Sequence, residues 1–146
     1  GFDAAVNYKT DDLHGQLKAA CPFGVDVYFE NVGGRVLDEA LSVMNNFGRI
    51  VVCGLISQYN ATDAVPGPYN FAMTISNRLR IHGFVAPDYS GRVTEMIGEF
   101  SHWYSVGKLK YRVDIERGLE MAPMAINKLF KGENSGKLIV QISPVR

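Results

Sequence analysis

Short runs of apolar residues alternate with amphipathic stretches along the first half of the chain, and this alternation most constrains the fold. Two of the runs, Val25–Glu30 and residues 49–53, have the length and β-branched content of strands. Between them, apolar residues recur at helical spacing over residues 36–44, after a Gly-Gly pair. This order, with short connections, predicts a parallel sheet. Because the second run is almost entirely apolar, we expect helices on both faces of that sheet.

The same pattern extends to either side. Residues 45–48 predict a turn that ends the helix at 36–44 with left-handed backbone. Pro123 fits a helix only in its first turn. The polar loop at 54–69 is long and has no periodicity. A loop of this kind inside a compact domain more often has a function than not. We further expect strands at 4–8, 79–84, 110–115 and 137–142, and helices at 11–20 (capped by Thr10 or Asp11), 70–76, 88–106 and 120–131.

Composition excludes several classes of function. The formal net charge is zero, from 15 basic and 15 acidic side chains, which argues against a nucleic-acid binder. No apolar run reaches the roughly 18 residues of a membrane helix, so no membrane segment is expected. Cys21 and Cys53 form no CxxC pair, which favours a reducing, cytoplasmic location. His14, His82 and His102 are isolated in the sequence, so no metal site is expected.

Ligands of parallel sheets bind outside the carboxyl ends of the strands, where we expect the loops at 31–34, 54–59 and 84–86 to gather. The first loop delivers Asn31 and then two glycines that permit close backbone approach to a polar ligand. The alternative is a tight β–α turn in which Asn31 merely caps the helix.

Two further segments are candidates. Gly54 follows a strand and allows a flat ligand to pack on the backbone, and Tyr59 is a plausible donor to a ligand carbonyl. The alternative is a loop tyrosine packed on its own domain. The polar turn at 134–137 is either a third ligand contact or an ordinary turn. Ser57 lacks the GxSxG context, which argues against a hydrolase triad.

Taken together, the segments at 29–34, 47–50, 53–60 and 132–137 occur in this order in one family. The chain resembles the C-terminal part of a medium-chain dehydrogenase/reductase. The closest branch is the zinc-independent, NADPH-dependent double-bond reductases, which include the leukotriene B4 12-hydroxydehydrogenase/prostaglandin reductases and the curcumin-reductase-like enzymes. The resemblance implies an α/β fold with part of a Rossmann-type, doubly wound parallel sheet. It also implies hydride transfer from NADPH to the β-carbon of an α,β-unsaturated ketone or aldehyde.

The resemblance also assigns roles to individual residues. Tyr59 matches the catalytic tyrosine near the substrate carbonyl. The implied cofactor-binding residues are Tyr8 near the adenosine ribose, Asn31 at the sugar–pyrophosphate region, Cys53 and Gly54 beside the nicotinamide, Phe84 and Val85 at its carboxamide, and Asn134 at the pyrophosphate. No metal is implied.

The chain lacks the glycine-rich first β–α turn that a Rossmann nucleotide site requires. We therefore expect a fragment of a longer enzyme that is inactive alone. In it, residues 1–115 form the C-terminal half of the NADP-binding domain, and residues 116–146 return to an otherwise absent GroES-like catalytic domain. By analogy with the family, we expect a homodimer through the strand at Leu79–Phe84. The alternatives are a quinone oxidoreductase of the same superfamily and a non-catalytic, half-Rossmann interaction module.

Overall fold

The computed structural model describes residues 1–144 as two compact units, residues 1–89 (the N-terminal unit) and the residues from Ser90 onward (the C-terminal unit). The N-terminal unit contains the strands β1 (Val25–Glu30), β2 (Met44–Val52) and β3 (Arg80–Gly83), and the helices α1 (Leu13–Ala20), α2 (Gly34–Ser42) and α3 (Met73–Ser76). Short 3-10 helices lie at Ile56–Gln58 and Tyr69–Ala72.

The three strands form one parallel sheet in the order β1-β2-β3, as the sequence predicts. Tyr28, Ile50 and Ile81 stand in one row across the sheet. Parallel neighbours require crossover connections, which α2 supplies between β1 and β2. The predicted α/β fold class is therefore confirmed.

The core lies between this sheet and α2. Leu41, Met44 and Ile50 are buried there, and Tyr28 and Val52 pack against them. Val27 and Phe29 point to the opposite face and are 51% and 56% exposed. The sequence predicts helical cover on both faces, whereas within this unit it is present on one.

The C-terminal unit is built around a second parallel pair. It contains α4 (Val93–Ser105), β4 (Val113–Arg117), α5 (Ala122–Lys131) and β5 (Lys137–Gln141), with 3-10 turns at Ala86–Arg92, on the border of the two units, and Leu119–Met121. Pro123 lies in the first turn of α5, as predicted. An ion pair of 3.0 Å between Lys128 and Glu116 ties α5 to β4.

The predicted strand at residues 4–8 does not form. A strand needs a hydrogen-bonding neighbour, and the described sheet ends at β1. Asn7 instead bonds locally, since its N–H donates to the side chain of Gln16 and its carbonyl accepts from the N–H of Thr10. The α1 cap is Asp12 rather than Thr10 or Asp11, and its carboxylate accepts from the Gly15 N–H at 3.0 Å.

The predicted turn at 45–48 is absorbed into β2 as a bulge. The register with β1 jumps from Val25–Met44 to Val27–Arg49. The left-handed residue is Phe47, with φ of 64°, and not an asparagine or glycine. Its N–H donates to the carbonyl of Asn77 at 2.7 Å, and the Arg78 guanidinium lies 4.6 Å from its ring centroid, which offsets the strain.

The boundary between the compact units, after residue 89, differs from the domain boundary predicted at 115/116. The predicted boundary concerns a longer polypeptide and stays a prediction. No helix within residues 1–144 combines the length and the apolar character needed to cross a membrane.

Candidate functional site

The carboxyl ends of β1, β2 and β3 lie at one edge of the sheet. Glu30, Val52 and Gly83 share the last row of the ladder. The Cys53 N–H donates to the Glu30 carbonyl at 2.9 Å, and the Phe84 N–H donates to the Val52 carbonyl at 3.2 Å. The structure thus brings together the ends of the three strands from which the predicted loops emerge.

The first loop turns around the carboxylate of Glu30. This side chain is fully buried, and its Oε1 accepts hydrogen bonds from the N–H groups of Val32, at 2.5 Å, and Gly33, at 2.9 Å. Gly33 and Gly34 have φ of 77° and 53°, in the left-handed region that glycine enters without strain. The glycine pair therefore permits a turn that the carboxylate holds in place.

Backbone hydrogen bonds join the first loop to the second. The Asn31 carbonyl accepts from the Ile56 N–H at 3.2 Å, and the Val32 carbonyl accepts from the Ser57 N–H at 2.9 Å. The Glu30 carbonyl accepts from Gly54 as well as from Cys53. The two loops consequently form one hydrogen-bonded layer.

Gly54 stands between two predicted site residues. A Cβ on Gly54 would lie 2.9 Å from the Tyr59 hydroxyl, closer than real Cβ atoms approach, and 3.0 Å from Asn31 Oδ1, which is tighter than most Cβ contacts. The Tyr59 hydroxyl accepts from the Leu55 N–H at 3.0 Å, and the residue as a whole is 62% exposed. Asn31, Gly54 and Tyr59 therefore converge on one point, where the hydroxyl of an exposed tyrosine lies beside a backbone without a side chain.

Three other predicted residues follow the carboxyl ends of β2 and β3. Cys53 is an exposed, free thiol at the end of β2. The Phe84 ring makes edge contacts with Phe29 and Tyr89, at centroid distances of 6.0 and 5.5 Å. Val85 follows it and is 58% exposed.

Tyr8 and Asn134 are not brought to this point by the described contacts. Tyr8 lies in the segment before α1 and is half exposed. Asn134 belongs to the C-terminal unit, where its side-chain amide donates to the Gly136 carbonyl at 2.8 Å. The Asp114 carboxylate accepts from the Ser135 N–H at 2.6 Å and holds the same turn.

Glu30 and Tyr28 have no role predicted from the sequence. The Tyr28 hydroxyl donates to Glu30 Oε2 at 3.1 Å. Burial raises the pKa of Tyr28 well above its usual value, and the neighbouring Glu30 carboxylate adds to the rise. The available signal was a charged residue that ends an otherwise apolar strand, next to a Gly-Gly turn.

Metal ligands do not cluster in the described part of the chain. Within residues 1–144, no group of three or more histidine, cysteine, aspartate and glutamate side chains could hold an ion. Outside the site, His14 Nδ1 lies 3.0 Å from a Glu39 carboxylate oxygen, a contact between α1 and α2.

A family model described as zinc-binding dehydrogenase matches residues 1–140. The NADPH-dependent curcumin reductase of Escherichia coli is 43% identical over 98% of this chain and 43% of its own length. The 2-alkenal reductase (NADP(+)-dependent) of Nicotiana tabacum is 44% identical over 98% of this chain and 42% of its own. Prostaglandin reductase 1 of Sus scrofa is 42% identical over 97% of this chain and 44% of its own. The chain thus spans less than half the length of these relatives.

Solved structures share the fold. The crystal structure of CurA from Vibrio vulnificus in complex with NADPH has a TM-score of 0.88 and 40% identity, over 99% of this chain and 44% of that one. A quinone oxidoreductase of Pseudomonas syringae has a TM-score of 0.71 at 18% identity, over 92% of this chain and 41% of that one, which shows the fold alone. With a family match over residues 1–140, the chain belongs to the zinc-binding dehydrogenase family, within the medium-chain dehydrogenases/reductases that its motifs resemble.

Proposed function

We propose that this chain is the cofactor-side part of an NADP(H)-dependent oxidoreductase that reduces the C=C bond of α,β-unsaturated ketones and aldehydes. The observation that carries the proposal is the convergence of Asn31, Gly54 and Tyr59 at the carboxyl ends of parallel strands. Relatives named as curcumin and 2-alkenal reductases support the substrate class.

Gly54 lets two of the proposed site residues approach the backbone closely. A Cβ there would lie 2.9 Å from the Tyr59 hydroxyl and 3.0 Å from Asn31 Oδ1, so glycine is what allows these side chains to meet at the end of β2. We assign Cys53 and Gly54 to the wall beside the nicotinamide, and Phe84 and Val85 to its carboxamide. Asn31, Tyr8 and Asn134 are assigned to the sugar and pyrophosphate groups.

NADPH, when bound, supplies the hydride for conjugate reduction. Negative charge then develops on the substrate carbonyl oxygen, and a hydrogen-bond donor placed there lowers the barrier. The Tyr59 hydroxyl accepts from Leu55 and finds no acceptor for its own proton among residues 1–144. That proton is the one we assign to the carbonyl oxygen, to polarise the enone and to support protonation of the enolate.

Zinc requires three protein ligands in a catalytic site and four in a structural one. The described residues offer no such group, so they do not fit a zinc centre, although the family description names zinc. In the proposed reaction the donor to the carbonyl oxygen is the Tyr59 hydroxyl.

The proposal includes the context of the chain. We propose that residues 1–115 complete a Rossmann domain in a longer polypeptide and that residues 116–146 lead back to its catalytic domain. A homodimer would form through residues 79–84, because β3 lies at the end of the described sheet with its outer edge unpaired. A cytoplasmic location agrees with the two free cysteines.

The test uses the longest gene product that contains this chain. We expect an enone to oxidise NADPH, and deuterium from labelled NADPH to appear at the β-carbon of the saturated ketone. Comparing a quinone with the enone at equal concentration tests the alternative. A higher kcat/KM for the quinone would make the protein a quinone oxidoreductase instead of an enone reductase. NADPH titrated into the 146-residue polypeptide tests its incompleteness, because micromolar affinity there would contradict the proposal.

A further inference from the structure

Glu30 is a buried charge that the proposed reaction does not use. Its side chain is fully buried at the end of β1, and no cation of the described residues forms an ion pair with it. Burying a carboxylate is costly unless donors replace the lost water. The turn provides two backbone N–H groups and β1 provides the Tyr28 hydroxyl. Such a charge needs an explanation beyond packing, because an apolar side chain would avoid the desolvation cost.

The three hydrogen bonds divide between the two carboxylate oxygens. Oε1 accepts from Val32 and Gly33, the two residues that follow Asn31. Oε2 accepts from Tyr28, on the same strand. The side chain therefore bridges the rigid sheet and the turn that carries Asn31.

The turn at 31–34 also supports the second loop, at 54–59. The carbonyls of Asn31 and Val32 accept from Ile56 and Ser57. The next residues lead to Tyr59, whose hydroxyl is held by Leu55. A displacement of the turn would thus move Asn31 directly and Tyr59 through one layer of backbone hydrogen bonds.

We propose that Glu30 is a positioning residue, whose buried carboxylate fixes the turn at 31–34 and thereby places Asn31 and Tyr59 for the cofactor and substrate. The effect of this role on catalysis rests on the proposed function. Its structural part, the holding of the turn, is independent of any substrate.

The raised pKa of Tyr28 keeps that hydroxyl protonated, so that it remains a donor to Glu30 across the ordinary pH range. Glu30→Gln preserves the hydrogen bonds of this side chain. The amide oxygen of the new glutamine can accept from the turn, and its NH₂ can donate to a rotated Tyr28 hydroxyl. Leucine removes every acceptor and leaves the two N–H groups buried without partners. Glu30→Gln and Glu30→Leu therefore form a graded pair.

Steady-state kinetics with NADPH and an enone test the proposal in the full-length protein. We expect Glu30→Leu to raise the KM for NADPH and to lower kcat by about 10²-fold, the size of effect that a small misplacement produces. Glu30→Gln should restore most of both values. Glu39→Leu is the matched control, since Glu39 is also a partly buried, hydrogen-bonded glutamate of the same unit. It should lower stability and leave the KM for NADPH unchanged.

Amide hydrogen exchange separates this proposal from the enzymatic one. Glu30→Leu should accelerate exchange of peptides that cover residues 31–34, while peptides from α1 keep their protection. If the unsubstituted protein reduces no enone, the proposed function fails, and exchange at 31–34 still decides the role of Glu30. Unchanged protection there, or a Glu30→Leu protein with normal KM and kcat, overturns the proposal. If Glu30→Leu does not fold, Glu30→Asp replaces it, since the shorter side chain withdraws from the turn while keeping its charge, and the same criteria apply.

Discussion

The Tyr59 hydroxyl accepts a hydrogen bond from the Leu55 backbone N–H at 3.0 Å. The 3-10 turn at Ile56–Gln58 lies between the two residues and closes this short loop. The oxygen is thereby held beside Gly54, and its proton has no acceptor among residues 1–144. A hydroxyl held in this way is a preorganised donor to developing negative charge.

Tyr59→Phe removes that donor without changing the ring. We expect kcat for enone reduction to fall by about 10²-fold, the usual effect of losing one such group, with little change in the KM for NADPH. Steady-state kinetics in the full-length protein measure both values. Tyr69→Phe is the control, because Tyr69 is 84% exposed and makes no hydrogen bond through its hydroxyl among residues 1–144. A Tyr59→Phe enzyme with normal kcat would remove Tyr59 from the reaction.

Gly54→Ala places a methyl group against Tyr59 and Asn31. The two atoms it meets are the ends of side chains, one of them on the exposed Tyr59, so we expect the free energy of unfolding to fall by about 1 kcal/mol, the low end of the cost of overpacking. The displaced side chains should nevertheless raise the KM for NADPH and lower kcat. Denaturant unfolding and steady-state kinetics on the same preparation measure the two effects, the small change in stability and the larger change in KM and kcat.

Gly67→Ala is the matched control for Gly54→Ala. A Cβ on Gly67 meets no heavy atom within 4 Å, so the variant should keep normal kinetics. Equal losses of activity in both variants would contradict the crowding argument.

Regular geometry made much of the fold and the site predictable. β1 has the predicted bounds, Val25–Glu30, because its apolar run ends at a Gly-Gly turn. The meeting of Asn31, Gly54 and Tyr59 follows from the rule that parallel strands gather their carboxyl ends at one edge. The resemblance then gave these residues roles that spacing alone does not provide.

Distant contacts account for what the sequence did not predict. Phe47 takes left-handed backbone because Asn77 and Arg78, far along the chain, bond and cover it. Glu30 looks in sequence like a solvated strand end, and only the donors from Tyr28 and the turn make its burial possible. Residues 4–8 have strand composition and find no neighbouring strand in the described sheet.

Tyr28 should make the stability of the fold depend on alkaline pH. Its pKa is raised above the ordinary value of 10.0, first by burial and then by Glu30. The stabilising contribution is therefore complete below pH 10.0 and is lost at higher pH, as the unfolded chain ionises while the folded protein still holds the proton. The denaturant midpoint is measured at several pH values on both sides of pH 10.0. It should fall more steeply with rising pH for the unsubstituted protein than for Tyr28→Phe. Parallel curves would contradict the assignment.

Asp114 should make the turn at Asn134 sensitive to acid. The Ser135 N–H is the main cause of the lowered pKa of Asp114, and the Arg112 guanidinium contributes less. A lowered pKa gives stability that is present above the ordinary value of 3.8 and is lost as pH falls through the folded value. Asp114→Asn should therefore be less stable at neutral pH and lose less stability in acid. Trp103, the one tryptophan of the sequence, lies in the same unit and reports its unfolding by fluorescence.

Asp114→Ala, which removes the acceptor of the Ser135 N–H altogether, tests the proposed role of Asn134. If Asn134 contacts the pyrophosphate, loosening its turn should raise the KM for NADPH and leave the KM for the enone unchanged. Lys128→Gln is a control, since it breaks the ion pair with Glu116 in the same unit and leaves the Ser135 bond in place. A raised KM for NADPH in both variants would indicate general loosening of the unit.

Ile81→Pro tests the proposed dimer at the outer edge of β3. The Phe84 N–H donates inward to Val52, and N–H groups alternate in direction along a strand, so the Ile81 N–H points outward. Proline removes that outward donor and keeps the inward ladder, a position that edge strands tolerate. Light scattering should give a dimer for the unsubstituted protein and for Ile81→Val, and a monomer for Ile81→Pro. A dimer that survives Ile81→Pro would place the interface elsewhere, because pairing of two β3 edges needs that N–H.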